Sequence, residues 1–192
     1  MIRTESIEAI EIDDEAALWA WLGANHQRED SVWLTTYKAH IAAKYLSREQ
    51  VLDALVAHGW IDGIRRKLDD DRTMQLISPR RVEHWAKSYK DRAARLEAEG
   101  RMRPPGRASV AAGKASGLWS FMDDVDALIA PPDLIAALNA APPARTHFDA
   151  AAPSYRRNVL RWIKLAKTKA TRSKRLAKAA DYAARDKRIP QM

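Results

Sequence analysis

The residues best suited to chemistry in this sequence sit close together. The run His58-Gly59-Trp60-Ile61-Asp62-Gly63-Ile64-Arg65-Arg66-Lys67-Leu68 carries a carboxylate, an indole and two arginines, and Arg80 and Arg81 follow directly after Ser78-Pro79. An arginine fork grips a carboxylate or phosphate through two parallel N–H···O bonds. Arg65 or Arg66 together with Arg80 is therefore a candidate anion clamp, with Trp60 as one wall. A buried acid beside such a clamp could instead act as a general base on a small anionic substrate, which would make Asp62 the proton acceptor of an enzyme. The structural alternative is that Asp62 pairs with one of the arginines and staples the hairpin to the segment that follows. All three readings stand on the residues alone, and no catalytic residue is assigned.

Each reading needs the same scaffold. Period-2 alternation predicts a strand over 60–68, a turn at Asp69-Asp70-Asp71 and a second strand over 72–78. Alternation puts Trp60 and Asp62 on one face and Arg65 on the other, unless a bulge at Gly63 re-aims it. Ser31–Lys38, rich in β-branched and aromatic residues, reads as a third strand with Trp33, Thr35 and Tyr37 sharing a face. Trp33 and Tyr37 thereby join the candidate pocket. The expected sheet is antiparallel with about three strands.

Helices flank it. Asp13-Asp14-Glu15 heads a helix from Ala16 to Leu22. Ser47-Arg48-Glu49-Gln50 is a capping box, and Gly59 is the C′ residue of the helix it opens. Ser78-Pro79 reads as N-cap and N1 proline, which would place Arg80 in a first helical turn, where free N–H groups favour an anion. Trp85, Tyr89, Ala93 and Leu96 form one apolar face closed by Gly100. Pro104-Pro105-Gly106 reads as a break, with a short helix over 107–116 after it. Prolines at 131–132, 142–143 and 153 each open a further helix, and the last runs over about 171–185. The expected fold class is α+β, with residues 1–120 holding the sheet and 121–192 forming a helical, basic region docked on it as one compact unit.

Charge separates the two regions. Of the total +8, residues 153–192 contribute +11, leaving −3 for residues 1–152. Arg156, Trp162 and Arg172 are candidate residues facing the pocket from this tail. Cations between Arg156 and Lys178 could also contact nucleic-acid phosphates, but Trp162 falls on the apolar side, leaving no aromatic platform for bases. An unknown protein or a small anionic ligand is the preferred partner.

Other chemistries lack their residues. There is no Cys, hence no disulfide, thiolate metal site or cysteine nucleophile. The five His show no metal-ligand spacing, so neither a metal nor any other cofactor is expected. Asp69-Asp70-Asp71 lacks the spacing of a calcium loop. No serine has a nucleophile's sequence context, and no glycine motif fits a phosphate loop. No apolar run approaches the roughly 20 residues of a membrane span, and no secretory leader follows the first Met. A cytoplasmic protein is expected.

The order of motifs along the chain resembles the YdeI/OmpD-associated, or bacteriocin-protection, family. The resemblance rests on Gly59-Trp60-Ile61-Asp62-Gly63, Pro79-Arg80, Trp85, Gly100-Arg101-Met102-Arg103-Pro104-Pro105-Gly106, Lys114 with Gly117-Leu118-Trp119, and Pro132-Asp133-Leu134. It continues in Pro153-Ser154-Tyr155-Arg156-Arg157, Trp162-Ile163, Ala166-Lys167 and Thr171-Arg172-Ser173-Lys174-Arg175. The chain departs from the family pattern at Thr73 and Leu76 and at Trp85-Ala86-Lys87-Ser88-Tyr89. The resemblance implies a role in bacterial stress or bacteriocin resistance exercised by binding, with no catalytic mechanism attached.

Overall fold

A computed structural model describes residues 7–81 and 83–190. The chain falls into two compact units, Met1–Ser120 and Phe121–Met192.

The first unit is built on a four-stranded sheet in the order β1-β2-β4-β3. β2 (Val32–Tyr37) pairs antiparallel with β4 (Arg72–Pro79), which pairs antiparallel with β3 (Trp60–Lys67). The expected three strands are joined by a fourth, β1 (Ala9–Glu11), which runs parallel to β2. Its three residues are too few to show a period, and α1 (Glu15–Ala24) is the crossover that a parallel pairing requires. α1 opens on Asp14, whose Oδ1 accepts from the Ala17 amide at 2.7 Å. α2 (Arg48–Ala57) opens on the capping box, with Gln50 accepting from the Ser47 amide at 2.9 Å. Leu18, Leu22, Val32, Leu34, Leu55, Trp60 and Ile77 form the core between these helices and the sheet.

Two proline segments act differently from their sequence reading. Ser78-Pro79 does not start a helix: Pro79 pairs with Trp60 as the last residue of β4, and the Arg80 amide donates to the Gly59 carbonyl at 2.8 Å. β2 reaches only as far as Ile77, so the N–H that proline lacks has no ladder partner to lose. The next helix, α3 (Lys87–Ala98), begins seven residues beyond Arg80. Arg80 therefore sits on no helix N-terminus. Conversely, Pro104-Pro105-Gly106 is no break but the first turn of α4 (Pro104–Ala115). Gly106 is required there because a Cβ would lie 2.3 Å from the Ala57 carbonyl oxygen. Gly59, at φ +75°, likewise turns under α4, where a Cβ would meet the Pro105 carbonyl and the Ser109 hydroxyl at 2.8 Å.

The second unit is helical among its described residues. α5 (Asp123–Asp126), α6 (Pro132–Asn139), α7 (Ala144–Ala150), α8 (Pro153–Lys164) and α9 (Lys169–Ala184) surround Leu134, Leu138, Phe148, Val159, Leu160 and Ile163. Ala179, Ala180 and Ala183 are the buried face of α9, and their small side chains let it lie close to its neighbours. Thr168 caps α9 by accepting from the Thr171 amide at 3.1 Å. The α+β class with a helical C-terminal region is what the sequence led one to expect.

Candidate functional site

The hairpin does contain the bulge that alternation left open. Asp62 opposes Ile77 and Arg65 opposes Gln75, so three steps on β3 answer two on β4. The extra residue brings Arg65 onto the face of Trp60 and Asp62. Gly63 occupies the bend, where a Cβ would stand only 3.3 Å from the Leu76 carbonyl.

Arg65 does not meet Arg80 there. Its guanidinium donates to the Thr73 hydroxyl at 3.0 Å on the exposed end of the hairpin. Arg66 points to the opposite face and lies over the Trp33 ring at 5.4 Å. Asp62 pairs with no arginine among the described residues: one oxygen accepts from the Gln75 amide at 2.9 Å and the other from the Tyr89 hydroxyl. A carboxylate so occupied is a positioned acceptor, and a substrate proton would have to displace one of these donors. Trp60 is fully buried beneath an edge-on Trp21 at 5.6 Å and offers a ligand no surface. Its Nε1 is buried without a partner.

Arg80 is different. Its guanidinium lies 3.7 Å from the centroid of the Trp85 ring and 5.4 Å from that of Tyr89. One terminal nitrogen donates to the His84 carbonyl at 3.1 Å, while Nε and the other terminal nitrogen are buried with no hydrogen-bond partner among the described residues. Burial pushes this guanidinium below its ordinary pKa, against the opposing pull of Glu83 and Asp62. A cation stacked on an indole and left with unsatisfied N–H groups is costly unless something supplies the missing acceptors. Beside it opens a cleft of about 240 Å³ bounded by Arg80, Arg81, Glu83, Trp85, Ser109 and Gly113. Gly113 makes that wall possible, because a Cβ there would lie 2.5 Å from the Trp85 indole nitrogen.

The remaining sequence candidates lie elsewhere. Trp33 and Tyr37 share the opposite sheet face. Trp33 is buried, and the Tyr37 hydroxyl donates to Glu11 at 2.5 Å. With Arg72 this hydrogen bond holds the Glu11 carboxyl below its usual range. Arg156, Trp162 and Arg172 belong to the second unit. Arg172 grips Asp133 with two bonds of 2.6 and 2.8 Å, and Arg175 stacks on the partly buried Trp162 at 5.1 Å. Arg156 reaches the Asp149 carbonyl at 3.4 Å and keeps a buried Nε without a partner. Sequence reasoning missed Trp85, Ser109 and Gly113 as site residues. The signal was present in Ser109, Ala112 and Gly113, whose i, i+3, i+4 spacing lines one helix face with small side chains.

A second polar cluster is structural. Asp53, buried in the middle of α2, receives Arg92 and, at 2.5 Å, Arg95, with Arg101 at 3.6 Å. Glu49 and Glu15 complete these pairs at 2.5 and 2.9 Å. Among the described residues no group of three or more His, Asp or Glu could hold a metal ion, and no helix is long and apolar enough to cross a membrane.

Fold and cleft together define a two-unit α+β protein with a stacked arginine just past the end of an inner strand of its sheet. The chain belongs to the family described as a domain of unknown function (DUF8412), whose model matches residues 10–109, more than half its length. Residues 127–186 match the family described as "Bacteriocin-protection, YdeI or OmpD-Associated". The resemblance read from the sequence is thus shown for the second unit, while Gly59–Gly63 and Gly100–Gly106 fall in the first match. No curated protein and no solved structure matches the chain.

Proposed function

We propose that this is a cytoplasmic, non-catalytic binding protein of the bacteriocin-protection type, and that it captures a small anion in the Arg80–Trp85 cleft. The observation that carries this reading is the pair of buried, partnerless nitrogens on Arg80 beside an open cleft. A carboxylate or phosphate oxygen supplies the acceptors that the protein does not, and at the cleft wall two arginines, Arg80 and Arg81, face one acid, Glu83. The Trp85 face holds the guanidinium flat, so little side-chain freedom is lost on binding. The family match of the second unit supports a protective role, and stress response is the setting in which such capture would serve.

Calorimetric titration with inorganic phosphate and with acetate tests the reading. Wild type should bind at least one of them, and Arg80→Gln should abolish the heat while thermal unfolding remains cooperative. Arg80→Lys keeps the charge over Trp85 but loses the fork, and should bind more weakly than wild type. Equal binding by wild type and both variants, or no binding by wild type, overturns the proposal.

A further inference from the structure

On the other side of α4 lies a larger groove, of about 390 Å³, whose floor is apolar: Ala93, Met102, Val110, Ala111 and Trp119. Its volume falls in the range of small-molecule sites. Two cations stand at its rim, and they differ. The Arg107 Nε is neutralised by both oxygens of Glu97 at 3.0 and 2.9 Å. Lys114 has no acidic partner among the described residues; its ammonium lies 5.3 Å from the centroid of the Trp119 ring. Trp119 in turn packs against Trp85 at 5.0 Å, so the two indoles form a partition between this groove and the Arg80 cleft.

We propose that this groove is a second binding site, for an amphipathic monoanion: an unbranched or aromatic apolar body ending in a carboxylate. The apolar body covers Val110, Ala111 and the partly exposed Trp119, releasing water from apolar surface that the unliganded chain leaves wet. The carboxylate meets Lys114, the one rim cation not already matched by an acid. A neutral ligand would leave that ammonium unmatched, and a cationic one would meet it with repulsion. The site is independent of the Arg80 cleft and of the anion proposed there.

Octanoate and octanol, titrated into the full chain and followed by calorimetry, separate charge recognition from apolar burial. Octanoate should bind wild type more tightly than octanol. Lys114→Met should weaken octanoate about tenfold, the loss expected for one charge-assisted contact, and leave octanol unchanged. Lys114→Arg should restore octanoate, and Ala111→Trp, which fills the groove from a solvent-facing position, should remove both. Equal octanoate affinity in wild type and Lys114→Met shows an apolar patch without anion selectivity and overturns the proposal, as does failure of octanoate to bind wild type at millimolar concentration.

Discussion

The two units handle charge in opposite ways. In the first, charged and polar groups enter the interior: Asp53 between three arginines, His58 beneath Trp19, and Arg80 on Trp85. In the second, four of the acids pair nearer the surface, with Arg145 on Asp149, Lys164 on Asp124, Arg172 on Asp133 and Arg185 on Asp181, while one Asp126 oxygen and the Arg156 Nε are buried without a partner among the described residues. The second unit's core is a plain packing of leucines, alanines and aromatics. Buried charges are poor stabilisers because desolvation offsets attraction, whereas surface pairs cost and contribute little. Arg156 in the second unit also keeps one buried Nε without a partner, but Arg80 has two such nitrogens and stacks on Trp85 at the wall of a cleft, a combination that stability alone does not favour. That contrast points to the first unit as the binding unit.

The contrast can be broken most forcefully at Asp53. Asp53→Ala leaves the nearly buried Arg92 with Glu49 alone and should cost about 3 kcal/mol, the low end for a broken buried pair. Hydrogen exchange should show the loss in α1 to α3. Gly106→Ala comes next: a methyl 2.3 Å from the Ala57 carbonyl forces α2 and α4 apart, and overpacking of this kind costs about 1–3 kcal/mol in urea denaturation.

Smaller effects depend on pH and have different thresholds in the two units. Burial depresses the folded His58 below its ordinary 6.5, although its Nδ1 lies 2.8 Å from the Ala54 carbonyl. The unfolded chain then takes up the proton more readily. The stability held by neutral His58 is complete above pH 6.5 and drains as pH falls from there toward the depressed folded value. The melting temperature of wild type should decline as pH falls below 6.5, and His58→Phe should flatten the decline. In the second unit, the Arg172 hydrogen bonds hold Asp133 below its ordinary 3.8, and Asp133 raises Arg172 in return. That contribution is full above 3.8 and is lost only as pH falls through the lowered value. Asp133→Asn should therefore change exchange in α6 and α9 little at neutral pH, by about 0–1 kcal/mol for a partly exposed pair, and should blunt the acid transition.

Much of the scaffold could be read from local chemistry. Ser47 and Gln50 announce the start of α2 because both halves of a capping box lie within four residues, and Gly59 ends it because only glycine takes φ +75° at no cost. The hairpin was legible from alternation on either side of the three aspartates. What local pattern could not tell was which partner each backbone group would find. Pro79 has the same sequence signature whether it opens a helix or closes a strand. The choice is made by Gly59, twenty positions away, accepting from the Arg80 amide. β1 was hidden for the same reason, since three residues acquire strand character only by lying beside β2. The site followed suit. Arg80 and Asp62 stand out by residue type, but Tyr89 and Trp85 read as one apolar helix face and Gln75 carries no local signal, and the pairing of Asp62 with these neutral donors depends on strand register and on where α3 lies.

An anion bound at Arg80 would take hydrogen bonds from its buried Nε–H and terminal N–H groups. Arginine Nε–H resonances in a ¹H–¹⁵N spectrum report that directly, with the Arg80 signal assigned by its loss in Arg80→Lys. Titration with inorganic phosphate should move the Arg80 Nε–H downfield to saturation while the Nε–H of Arg172, already bound to Asp133, stays in place. An Arg80 signal that stays still, or moves no further than those of exposed arginines such as Arg185, would contradict it.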